Sequence, residues 1–199
     1  MAKNLVDKKR LCIFACLLQI MNSKIIDEYN LQKVKEIILY ILNKVGDIDY
    51  YKLMKMIFCA DRNNLLVWGE PITNLTYKAK DHGPVPQTIY KEITRSKSRH
   101  DGIYGGIISL VDDYTLHAER EANLDYLSKT DIDSIDKAIL NLKDKGWAKI
   151  EKELHEDVYD RLYPSRQKYS LTDIAKSAGA DSKTLERINM NVQLNRMLT

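Results

Sequence analysis

Four histidines and three cysteines are the side chains with which this chain of 199 residues could do chemistry, and their spacing argues against the common kinds. His82, His100, His117 and His155 are scattered along the chain. His155-Glu156-Asp157 lacks the second His of a zinc-protease helix. Cys12, Cys16 and Cys59 form no Cys-x-x-Cys pair and no Cys/His cluster at zinc spacing. They read as reduced thiols, and neither a metal nor a cofactor is expected. No G-x-S-x-G occurs, and no cysteine has a His beside it in sequence, so nucleophilic catalysis has no signal. No G-x-G-x-x-G or P-loop is present, and the glycines of DGIYGG read as a turn before a strand. That is absence of signal rather than disproof, and an enzyme with a site in the His82 loop stays open on the residues alone.

One segment carries a binding signal. In LTDIAKSAGADSKTLERI, Ala175 is followed by Gly179, and apolar residues fall at Ile174, Ala178, Ala180, Leu185 and Ile188. That pattern suits a helical hairpin over 170–190, and also a helix-turn-helix. From Arg166 to Thr199 there are six basic and three acidic residues. Lys183, Arg187 and Asn189 would then meet DNA, with Glu186 facing the phosphates unfavourably. Operator DNA is the alternative partner on this reading, and a plain packing hairpin has the same pattern.

The elements that must hold such residues follow from periodicity. Val34, Ile37, Ile38, Ile41, Leu42 and Val45 recur at helical spacing from Leu31, and Gly46 suits a C-cap. Asp47 or Asp49 would cap the next helix. There YYKLMKMIFCADRNNLLVWG is apolar nearly all round, as a central helix is. A strand is expected at 72–80, then HGPVP as a stiff loop into a helix at 86–96. RSKSRHDG reads as a basic loop. IISLV and YTLHAE flank Asp112-Asp113 as a hairpin. Beyond residue 123 the chain is helical again: one helix capped by Asp131 or Asp133 and closed at Gly146, one from Trp147 to about Arg161, and two after Ser170. The fold class expected is α+β, a predominantly helical single domain over 31–199 with a small antiparallel sheet.

Composition sets the outer limits. A chain of this size buries roughly 70% of its unfolded surface, so its core needs no disulfide or metal. Lys plus Arg number 31 and Asp plus Glu 28, a net charge of +3, too mild to imply nucleic acid by itself. Twelve Tyr stand against two Phe, so many aromatics need a polar outlet at an edge or a partner surface. Residues 1–30 read as an N-terminal extension. Within it Lys3, Lys8, Lys9 and Arg10 precede the apolar run LCIFACLLQIM. The run resembles a signal peptide but lacks an A-x-A-like site, and it is shorter than the about 20 residues of a membrane span. A cytoplasmic protein is expected, its first residues a docked helix or a leader before Met21.

Residues 52–90, KLMKMIFCADRNNLLVWGEPITNLTYKAKDHGPVPQTIY, have a distinctive order. A Lys-Leu helix ends in Ala-Asp-Arg, a Trp-Gly turn follows, then a Tyr-x-Ala strand, GPVP and a Tyr-bearing helix. This resembles the Panacea domain, the SocA-like antitoxin domain common in phage-associated and mobile-element proteins of bacteria. ELHEDVYDR is similar to the family's C-terminal histidine-and-acid helix, and together the likeness spans about 31–190. Where the family often has an aromatic before GPV, this chain has His82. The resemblance implies a domain without catalytic activity that neutralises a co-encoded toxin by binding it, or by presenting it to a cellular protease. It marks Lys52, Asp61, Arg62, Tyr77, His82, Gly83, Pro84, Val85, Pro86, Tyr90 and His155 as candidate partner-binding residues. A helix C-terminus disfavours Asp, so Asp61 is expected to have a partner, near Arg62 or in the His82 loop. Tyr77 and Tyr90 are expected to cover a sheet edge, and Gly83, Pro84 and Pro86 to set a loop shape.

Overall fold

The computed structural model describes residues 27–198, and the expectations for residues 1–26, including Cys12, Cys16 and the apolar run, lie outside them. Helix α1 (27–45) buries Val34, Ile37, Ile38, Ile41 and Leu42 on one face. Gly46 ends it at φ 78°, a conformation that costs glycine little. A two-residue strand, β1 (Ile48–Asp49), leads into α2 (Tyr50–Trp68), capped by Asp49 and closed by Gly69. Twelve of the nineteen residues of α2 are buried, which makes it the central helix its all-round apolarity predicts. Around it pack α4 (Lys129–Leu142), α7 (Leu171–Lys176) and the strand β3 (Gly83–Pro86). Phe58 sets its ring edge-on to Tyr77 at 5.1 Å and to Tyr169 at 5.6 Å.

Five short strands form two antiparallel sheets among the described residues. The expected hairpin is present as β4 (Ile108–Leu110) and β5 (Thr115–Ala118), with β1 added beside β5. Asp112 fixes its turn by accepting from the backbone N–H groups of Tyr114 and Thr115. The second sheet corrects the reading of GPVP as a loop. It is the strand β3, paired with β2 (Tyr77–Lys80), and the strand expected from residue 72 starts only at Tyr77. Two prolines are tolerated because of register. Pro84 faces Ala79 and Pro86 faces Tyr77. The N–H of Ala79 points the other way, to Gln167, and the carbonyl of Tyr77 likewise accepts from Tyr169. No donor is therefore needed from either proline.

The remaining helices differ from expectation at their ends. Helix α3 (Gln87–Arg99) absorbs most of the basic loop and stops at His100, in the left-handed region at φ 54°. Helix α4 is capped by Ser128, with Asp131 completing a capping box rather than acting as the cap itself. It ends before Gly146, which instead opens α5 (Trp147–Leu154). The single helix expected from Trp147 to Arg161 is broken at His155-Glu156, and α6 (Asp157–Leu162) follows. Helices α7 and α8 (Ser182–Leu198) form the predicted tail hairpin, turned at Gly179. The architecture is α+β, mostly helical with small antiparallel sheets.

Candidate functional site

The residues singled out by motif fall into an interior cluster, a layer beneath the hairpin, and a surface groove. In the interior, Asp61 lies mid-helix in α2, fully buried, because the helix runs on to Trp68. Its partners are neither Arg62 nor the His82 loop. Thr73 donates to it from its N–H at 2.8 Å and from its hydroxyl at 2.5 Å, and the Tyr77 hydroxyl donates at 2.6 Å. Burial pushes the carboxyl up to about 6, against the pull of these donors. Tyr77 is core, 1% exposed, and does not cover a sheet edge. This cluster ties α2 to the start of β2 and presents nothing to solvent. Cys59 is also buried, and desolvation raises its thiol to about 11, so it stays protonated and unreactive at neutral pH.

Beneath the hairpin, Lys55 reaches out of α2 and donates to the Pro84 carbonyl at 2.8 Å. Nothing in its spacing marks it, since a Lys in an apolar run ordinarily extends its ammonium to water. Here it is wholly buried, and desolvation lowers it to about 7. Gly83 sits against it at φ 92°, with the His155 ring on the same side. His155 stacks flat on Tyr159, centroids 3.9 Å apart, and burial lowers its pKa. The Tyr159 hydroxyl donates to the Lys80 carbonyl at 2.9 Å. Val85 is buried between these layers. The break before α6 thus delivers His155 and Tyr159 to the underside of the GPVP strand. Arg62 joins α2 to the tail, donating to the Ser177 carbonyl at 2.8 Å and pairing with Glu156 at 3.3 Å. Lys52 donates to the carbonyls of Lys143 and Lys145 just past α4.

The groove opens where α2, the β2–β3 turn and α5 begin. Asp49, Tyr51, His82, Tyr114, Trp147 and Glu151 line a hollow of about 370 Å³. Tyr51 is its centre: Trp147 and His82 stand edge-on to it at 6.4 and 5.9 Å, and Tyr90 lies 6.5 Å away. His82 is exposed and held by Glu151 at 2.8 Å. Trp147 and Tyr114 remain 39% and 52% exposed. Of the motif residues, His82 reaches this face directly and Tyr90 borders it. Tyr51, Tyr114, Trp147 and Glu151 were not singled out by spacing; the excess of Tyr over Phe was the available signal. Among the histidines, His82 and His155 meet around the hairpin, whereas His117 pairs with Asp47 elsewhere.

A family model described as antitoxin SocA-like, Panacea domain, matches residues 53–158, more than half of the chain. The chain belongs to that family. No significant match to a curated protein or to a solved structure accompanies it. The matched stretch carries both sheets' hairpins and the helices from α2 into α6, and it supports an antitoxin-like role in general. Among the described residues, no helix is long and apolar enough to cross a membrane. The tail lies outside the match. Arg187 donates to the Leu66 carbonyl at 3.0 Å, and Asn189 accepts from Thr172 at 3.1 Å, while Lys183 stays exposed.

Proposed function

We propose that the protein is a cytoplasmic antitoxin that neutralises a co-encoded toxin by direct binding, with no turnover of its own. The observation that carries the reading is the exposed aromatic groove beside the Panacea hairpin. Tyr and Trp are the residue types that anchor protein interfaces, and here they stand on α2, α3, α5 and the turn between β4 and β5. Lys52, Lys55, Asp61, Arg62, Tyr77, Gly83 to Pro86, and His155 serve on this reading as the frame that positions Tyr51, His82, Tyr90, Tyr114 and Trp147. Delivery of the bound toxin to a protease would use the same surface. The operator-DNA reading has less support, because Arg187 and Asn189 are already engaged with neighbouring elements.

The test is co-expression with the product of the adjacent reading frame. Growth arrest should be relieved and a complex should co-purify, burying about 1,200–2,000 Å². Trp147→Ala should lose both while keeping the melting midpoint, since the ring is only partly covered. Absence of rescue for any neighbouring gene product overturns the antitoxin reading.

A further inference from the structure

We propose that the groove around Tyr51 is a subsite for a cationic side chain, an arginine guanidinium or a lysine ammonium, presented by the protein partner. The inference rests on the binding reading above and specifies its chemistry. Aromatic faces attract cations through the negative face of the ring. The molecule already uses the neighbouring rings in this way. The Lys97 ammonium lies 4.9 Å from the Tyr114 centroid and 5.9 Å from that of Tyr50. The Lys80 ammonium lies 3.8 Å over Tyr90. Among the described residues, Tyr51 and Trp147 carry no such cation.

The carboxylates of the groove point the same way. One oxygen of Asp49 accepts from the N–H groups of Tyr51 and Lys52, and one oxygen of Glu151 takes His82. The second oxygen of each has no hydrogen-bond partner among the described residues. The nearby lysines are committed elsewhere, Lys52 to carbonyls past α4, Lys97 to Asp113 and Lys145 to Glu153. An anionic occupant would meet two carboxylates. A purely apolar one would cover carboxylate oxygens without pairing them, which is costly. A cation satisfies both the rings and the acids. The hollow of about 370 Å³ is at the small end of the roughly 300–1,000 Å³ of ligand sites, so it suits a side chain rather than a cofactor.

The experiment titrates the full chain, labelled with ¹⁵N, and follows the indole N–H signals of Trp147 and Trp68. The probes are the N-acetyl amides of arginine, lysine, citrulline and glutamate. Arginine and lysine probes should move the Trp147 signal saturably and leave that of Trp68 in place. Glu151→Gln and Asp49→Asn should each weaken the arginine probe severalfold and together about tenfold. Both variants keep a hydrogen-bonding group, and Asn remains a good helix cap, so the fold is retained. An equal response to citrulline, a response to glutamate, or none to arginine at saturating concentration overturns the inference. The two readings fail separately. A toxin complex that is as tight with the double variant as with the native chain removes the cationic subsite and leaves the antitoxin. Binding of the arginine probe with no toxin neutralised does the reverse.

Discussion

Lys55 and Asp61 lie less than two turns apart on the same helix, both fully buried, and burial moves their pKa values toward each other. The Lys55 ammonium falls from 10.5 to about 7, and its charge is met by one carbonyl, that of Pro84. A folded value depressed below the unfolded one means that the fold disfavours the proton. The contribution of Lys55 is therefore full above about 10.5 and is lost as pH falls through about 7. Asp61 runs oppositely: raised from 3.8 to about 6, its contribution is full below 3.8 and lost as pH rises through 6. Lys55→Met keeps an unbranched side chain and removes the titration. Its urea midpoint should vary less with pH between about 7 and 9 than that of the native chain, whose stability gains from Lys55 over that interval. Parallel curves would mean that the ammonium reaches water. The sequence pointed to a partner for Asp61 through a helix end that in fact lies seven residues on, at Trp68; the need comes instead from burial in mid-helix. The partners themselves were not legible, because Thr73 and Tyr77 lie 12 and 16 residues on, across a loop whose path only the fold defines.

At the scale of elements, the helices were largely legible and their interruptions were not. Apolar spacing marks α1 and α2, and Gly46 and Gly69 mark their ends. The break at His155 leaves no such mark; there His155 stacks on Tyr159 beneath a hairpin distant in sequence. GPVP was legible as stiff but not as a strand. Proline ordinarily argues against pairing, and only the register that turns the Ala79 N–H and the Tyr77 carbonyl away from β3 makes it harmless. Gly83 is where this hairpin is most exacting. It holds φ 92°, and a β-carbon there would lie 3.3 Å from the Lys55 ammonium and 3.6 Å from the His155 ring. Gly83→Val should destabilise by about 1–3 kcal/mol through backbone strain. At roughly 2–4 °C per kcal/mol for a chain of this size, differential scanning calorimetry resolves it. An unchanged midpoint would mean that the hairpin re-forms around the new side chain.

On the scale of the whole molecule, the family match and the folding unit do not coincide. The match opens at Leu53, inside α2, and closes at Val158, inside α6. The core does not stop there. Ile37, Ile38, Leu39 and Ile41 of α1 are at most 1% exposed, and Tyr169, Ile174, Ala175 and Ile188 of the tail are also buried. Full burial of an Ile or Leu contributes about 1.5–3 kcal/mol, so the four α1 side chains account for about 6–12. That is comparable with the whole net stability of a domain, about 5–15 kcal/mol. Polar ties cross the same boundaries. Buried Glu36 of α1 takes both terminal nitrogens of Arg120, and Arg62 and Arg187 fasten α2 to the tail. A chain cut to residues 48–162 would keep the hairpin and every residue lining the aromatic groove while losing the core side chains of α1 and the tail. It should melt without a cooperative transition and bind the dye ANS strongly, with near-ultraviolet circular dichroism lost. A sharp melt with native aromatic signals would instead assign α1 and the tail to accessory roles. The expected collapse places them in the framework that keeps Tyr51 and Trp147 in position, although neither touches the groove.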